Sequence, residues 1–97
     1  MVALSYDTQP PRDRHHRLKT WPEYFQAILA GHKTFEVRKN DRDFRVGDLL
    51  ILAEYEPNEE PGYTSRILYR LVSYVLPGGQ FGIEPGYCVL GLLHKEG

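Results

Sequence analysis

Residues 20–48 read TWPEYFQAILAGHKTFEVRKNDRDFRVGD, and a change of period inside this stretch decides the fold. Trp21, Tyr24, Phe25, Ile28 and Leu29 recur at i, i+3, i+4, i+7 and i+8, the spacing of one apolar helix face. Thr20 and Glu23 have the capping-box spacing, in which each side chain satisfies a backbone N–H of the first turn. Pro22 falls in that turn, where its missing N–H costs little, and Gly31 suits the left-handed residue that ends a helix. These signals predict a helix of about ten residues. KTFEVRK then alternates, which predicts a half-buried strand with Phe35 and Val37 on one side and Glu36 and Arg38 on a polar one. NDRDFRVGD reads as a turn or short loop, with Asp41 and Asp43 bonding the local backbone and Asp48 leading into the next strand.

Outward from this stretch the chain is mostly strand. RHHRLKT, residues 14–20, reads as a first strand with His16 and Leu18 on one face and Arg17 and Lys19 on the other. DLLILAEYE, SRILYRLVSYVLP and YCVLGLLHK read as the third, fourth and fifth strands, separated by the turn-rich PNEEPGYT and GGQFGIEPG. Residues 1–13, ending DTQPPRD, carry a Pro pair and little periodicity and are expected to form a flexible N-terminal arm before a single domain over 14–97. Five strands and one early helix predict an α+β fold: a small, mostly antiparallel five-stranded β-barrel with the helix packed on it.

Several function classes are disfavoured by composition. A chain of 97 residues, 41% hydrophobic and 26% charged, supports one modest core rather than pervasive disorder. No apolar run nears the roughly 20 residues of a membrane span, and the N-terminus lacks a secretory signal pattern, so a cytoplasmic monomer is expected. The single cysteine, Cys88, excludes an internal disulfide and any multi-cysteine zinc site, and in GYCVLGLL it reads as a small buried strand residue. The four histidines have no recognised ligand spacing; no metal and no cofactor are expected.

Net charge is only -1, yet residues 12–45 carry +4 and residues 46–97 carry −4. A fold that gathers the first segment on one side would present a basic face attractive to phosphate. Within that segment Lys19 precedes the helix and Lys33 follows it, with Glu36 and Arg38 on the next strand. Arg38, Lys39 and Arg42 supply donors for phosphate, while His16, Trp21 and Tyr24 offer stacking or hydrogen bonding to a base. Basic residues interleaved with aromatics suit single-stranded nucleic acid, with stacking worth about 1–3 kcal/mol per base. A charged strand face wetted by solvent would produce the same letters.

GHKTFEVR has the G-x-K-x-x-E-x-R pattern of the ASCH superfamily, a PUA-like group of small β-barrels. With the preceding helix, the following KNDRDF and VGD, and the closing EPGYCVLG, the chain resembles the short bacterial and phage ASCH-like domains of unknown function from about His16 to Leu92. The resemblance implies a cleft between helix and barrel, lined by Lys33, Glu36 and Arg38, that binds RNA or a nucleotide. Some members of that superfamily remove the acetyl group of N4-acetylcytidine with the motif Lys, a Thr three residues on and a distant Glu. Here Lys33 is kept but Glu36 stands at the Thr position, which removes the hydroxyl nucleophile and leaves a carboxylate able to activate water or pair with cations.

Three functions follow as expectations. The first is binding of RNA, single-stranded nucleic acid or a modified nucleoside through His16, Lys19, Trp21, Tyr24, Lys33, Glu36, Arg38, Lys39 and Arg42. The second is amide hydrolysis of an acylated nucleoside, with Glu36 activating water and Lys33 or Arg38 stabilising the oxyanion. The third is a protein-interaction surface.

Overall fold

The computed structural model describes residues 11–94; residues 1–10 of the expected arm lie outside the described residues. The end of that arm is structured: Arg12–Arg14 form a 3-10 turn closed by the Arg14 N–H donating to Pro11 O at 2.7 Å. Strand β1 spans His15–Thr20, helix α1 Pro22–Leu29, β2 Phe35–Lys39, β3 Leu49–Tyr55, β4 Tyr63–Pro77 and β5 Tyr87–His94. They form one five-stranded sheet in the order β1-β3-β4-β5-β2, parallel between β1 and β3 and antiparallel at the other three pairings.

The sheet curls into a half-barrel because of local irregularities in its long strands. Register shifts fall between Ala53 and Tyr55 on β3 and between Val72 and Tyr74 on β4, and bulges of this kind increase twist. At the second shift Gly91 of β5 lies under the bulge, where a Cβ would come within 2.7 Å of Ser73 Oγ. Closure is incomplete: β1 and β2 are the two edges of the sheet. The gap between them is spanned by side chains, Arg38 Nη2 donating to Lys19 O at 2.8 Å and Arg42 Nη1 donating to Arg17 O at 2.8 Å. Two arginines thus satisfy carbonyls on the free edge of β1 that a further strand would otherwise pair.

The concave side holds the core. Leu18, Leu50, Leu52, Val72, Cys88 and Leu90 point inward, joined by Ile28 of α1 and by Phe44. Burial raises the Cys88 thiol above its ordinary pKa, aided slightly by Asp41, so this sulfur is held as an inert thiol. Phe44 belongs to the 40–48 segment, which is therefore more than a turn: it drives a ring into the core edge-on to His16, at 4.8 Å.

Helix α1 is shorter than its sequence pattern, and its cap differs. Pro22 at the first helical position forces Trp21 into an extended conformation (φ -61, ψ 149), and Trp21, with no side-chain cap, becomes the N-cap. Thr20 stays in β1 with its side chain buried, so the capping box does not form. Only Phe25 and Ile28 of the apolar face are buried; Trp21, Tyr24 and Leu29 are exposed. The C-terminus follows the sequence signal: Gly31 has φ +81, and the His32 and Gly31 N–H groups donate to Ala27 O and Ile28 O, the paired bonds of a Schellman motif. The buried Arg70, whose pKa burial pushes down, donates from Nη2 to Ile28 O at 3.3 Å and complements the same helix end.

Strand β2 is turned over relative to its hydrophobic alternation. Glu36 is 4% exposed, whereas Phe35 and Val37 are 45% and 51% exposed. The reason is register: Glu36 pairs with Leu90 and Arg38 with Cys88, and the two β5 residues are fully buried. Directly opposed residues share a face of the sheet, so Glu36 and Arg38 face inward with them. Accordingly, Val37→Thr should change stability by no more than about 0.5 kcal/mol, while Leu90→Ala should cost about 2–5 kcal/mol, both readable from urea denaturation midpoints.

Candidate functional site

Where the half-barrel fails to close, the end of β1, the start of α1 and the inward residues of β2 surround a cleft of about 350 Å3. It is lined by Lys19, Thr20, Trp21, Tyr24, Lys33, Glu36, Val37 and Arg38. Six of the nine residues expected to bind nucleic acid thus meet in one cleft, although they come from four successive segments of chain.

Glu36 is the centre of this cleft. Lys33 Nζ donates to Glu36 Oε1 and, at 2.7 Å, to Phe35 O; Arg38 Nε and Nη2 both lie 2.7 Å from Glu36 Oε2. Arg38 Nη2 also reaches Lys19 O at 2.8 Å and Thr20 Oγ1 at 3.4 Å, which fixes the guanidinium against the end of β1. A buried carboxylate with both oxygens taken by cations is compensated where a lone one would be expelled. Lys33 and Arg38 remain about one-fifth exposed, so each can turn part of its positive surface to a ligand.

An aromatic wall lines the same cleft. Trp21 and Tyr24 stack with centroids 6.3 Å apart and planes 20° from parallel, both about half exposed. Lys33 Nζ lies 5.7 Å from the Tyr24 ring and 5.0 Å from the Phe35 ring. Trp21 and Tyr24, the N-terminal part of the apolar face that α1 leaves unburied, line the cleft, while Leu29 lies outside it.

Three expected residues lie elsewhere. Lys39 is exposed at the end of β2, and Arg42 is exposed in the following loop, bound to Arg17 O. His16 faces the interior and is buried, its Nε2 2.8 Å from Asp48 Oδ2. An ionised carboxylate only accepts, so His16 carries its proton on Nε2 for this bond.

Asp48, read from sequence as a turn residue, is the hub of a second ionic cluster. It accepts from Arg14 Nε at 2.9 Å, from Arg14 Nη2, from His16 and from the Arg45 N–H at 3.0 Å. Burial alone would raise its pKa, but the bonds from Arg14 and His16, with the Arg45 N–H, together hold the carboxyl below its usual range. Arg14 in turn is pushed above its ordinary value by the bond to Asp48. This cluster clamps the 40–48 segment to β1 and is structural.

Thr20 and Val37 are the two lining residues that the sequence pattern concealed, Val37 because alternation assigns it to the apolar side of β2 and Thr20 because its spacing to Glu23 mimics a helix cap. The inward alternation His16, Leu18, Thr20 along β1 was the signal that could have found Thr20. Among the described residues no group of three or more His, Cys, Asp or Glu side chains gathers as a metal site requires, and no helix is long and apolar enough to cross a membrane.

Residues 15–92, which include every residue of the cleft, match the family model described as a domain of unknown function, DUF3850. The chain belongs to the DUF3850 family. A protein of Escherichia phage P2 described as an uncharacterized 12.9 kDa protein in the GpA 3' region is 45% identical to this DUF3850 protein over 40 residues. That match spans 41% of this chain and 37% of the phage protein.

Proposed function

We propose that this DUF3850 protein is an ASCH-like, PUA-like module of the cytoplasm that binds RNA or a nucleotide in the cleft between α1 and the half-barrel. The observation that carries this reading is the pairing of a half-exposed Trp21–Tyr24 stack with a cationic wall of Lys19, Lys33 and Arg38 in one cleft of about 350 Å3. That size lies within the range of small-ligand sites. A flat base suits the aromatic wall and a phosphate the cationic one; Glu36 holds Lys33 and Arg38 in place for it.

The engaged state of Glu36 favours binding over hydrolysis. A water-activating base needs a free oxygen, and both are occupied by cations. Release of acetate from N4-acetylcytidine, lost in Glu36→Ala with the fold intact, would reverse that preference. A surface for another protein is the weaker alternative, since the cleft is concave and cationic.

Trp21 is the single tryptophan of the chain, so its emission reports directly on the cleft. Single-stranded RNA is expected to quench it with an affinity that falls as salt rises, because phosphate contacts release counterions. Lys33→Ala should weaken binding about tenfold and lower the slope of log K against log salt by about 0.7. An affinity that ignores both salt and Lys33 would exclude this function.

A further inference from the structure

The outer face of the sheet beside the cleft carries a second concentration of cations and rings. Along β1 the exposed outward residues are Arg17 and Lys19. Their register partners continue the face across two more strands: Arg17 pairs with Ile51, and Ile51 with Tyr69; Lys19 pairs with Ala53, and Ala53 with Ile67. Tyr55 and Tyr63 pair at the next level, edge-on at 4.9 Å. Lys19 Nζ lies 4.3 Å from the Tyr55 ring and 5.8 Å from the Tyr63 ring, and Arg17 Cζ lies 5.8 Å from the Tyr63 ring. Tyr63 and Tyr69 are about half exposed.

At the register-matched strand positions the charge has one sign. None of these register-matched outward positions of β1, β3 and β4 holds a carboxylate; Glu54, the acid of β3, is buried on the other side with Thr64 Oγ1 at 2.5 Å and Arg66 at 3.6 Å. Arg42, tied to Arg17 O and paired with Asp41 at 3.9 Å, adds a third cation on the same free edge. Glu59 and Glu60 are exposed in the loop before Tyr63 and disfavour phosphate there. Lys19 belongs to both surfaces, lining the cleft and covering Tyr55.

We infer that the cleft is the end of a longer track and that the ligand is a single-stranded polynucleotide, not a free nucleotide. Its phosphates run along the β1 edge past Lys19, Arg17 and Arg42 while bases stack on Tyr63 and Tyr69. This rests on the nucleic-acid function proposed for the cleft and adds to it a substrate class and a second surface. Cations tracking a backbone beside exposed rings are the components that sequence-tolerant single-strand binding uses.

The test compares the four nucleoside 5'-monophosphates with random-sequence RNA of about three and about nine nucleotides, lengths bracketing a short single-strand site. The longer RNA is expected to bind at least tenfold more tightly than the trimer. Arg17→Ala and Tyr69→Ala should each weaken the longer RNA roughly tenfold and leave the monophosphates unchanged, and Tyr69→Phe, which keeps the ring, should restore binding. Arg17→Ala should also lower the salt slope by about 0.7. Equal affinity of short and long RNA, with Arg17→Ala and Tyr69→Ala silent while Lys33→Ala still weakens both, overturns the track and leaves the cleft function standing. Failure of every length to bind overturns both.

Discussion

Glu36→Ala is expected to lower stability by about 3 kcal/mol, because it strips the shared counter-charge from two cations at once. Lys33 would be left with Phe35 O, and Arg38, opposite the buried Cys88, with Lys19 O and Thr20 Oγ1 as acceptors. Removing one partner of a buried pair ordinarily costs about 3–5 kcal/mol; the lower end applies because the cleft admits water to both cations. For a domain of this size each kcal/mol is worth about 4–8 °C, so the melting temperature should fall by well over 10 °C. Replacing all three charged residues by apolar ones of similar volume should recover much of the loss, since buried ion networks are often no more stabilising than well-packed apolar groups. The triple variant should nevertheless fail to bind RNA, and this divergence between melting temperature and affinity separates the structural role of Glu36 from the binding role of its neighbours. A thermally silent Glu36→Ala would mean that the carboxylate does not organise the cleft.

Asp48→Asn should be of similar size, about 3 kcal/mol at neutral pH, and should carry a pH signature. The variant keeps the shape but loses the charge to which Arg14 and His16 donate. The sign follows from the lowered carboxyl pKa in the folded protein. A carboxylate depressed on folding contributes stability that is fully present above its unfolded value, about 3.9, and is lost as pH falls through the lower folded value. The stability gap between Asp48 and Asp48→Asn proteins should therefore be widest near neutral pH and shrink below about pH 4. Denaturant midpoints for both proteins across that range decide it: a gap that stays constant under acid would show that the Asp48 charge contributes nothing to folding. Affinity for a nucleoside 5'-monophosphate, measured where both variants are fully folded, should be unchanged, because the Asp48 cluster lies apart from the cleft.

Local signals in the sequence located the elements well. The stop of α1 was legible from Gly31 and its first turn from Pro22, although the cap fell on Trp21 and not on Thr20, and the five strands were legible from alternating or apolar runs bounded by turn residues. The convergence of Lys33, Glu36 and Arg38 was legible too, because a tight helix exit followed at once by a strand leaves few places for them to go. The facing of β2 was not. Alternation assigns Phe35, Val37 to one side and Glu36, Arg38 to the other, but hydrophobicity alone then sends the wrong pair inward. The same limitation hid Asp48, which looks like a turn residue until Arg14 and His16 are folded against it, and Thr20, which satisfies the letter of a helix cap.

By itself, then, the sequence determined what each segment is: strand, helix, helix stop, and the concentration of positive charge in residues 12–45. Those properties depend on neighbours within a few positions and on backbone geometry. Only the tertiary structure decided what each side chain meets. Pairing of β2 with β5 buried a glutamate and exposed a phenylalanine and a valine, an outcome stable because a lysine and an arginine reach the same carboxylate. Failure of β1 and β2 to pair left the opening that is the cleft. Both depend on strand partners up to about 55 residues apart in the chain, and the free energy of an ion pair or a ladder across that distance is not written in any local run of residues.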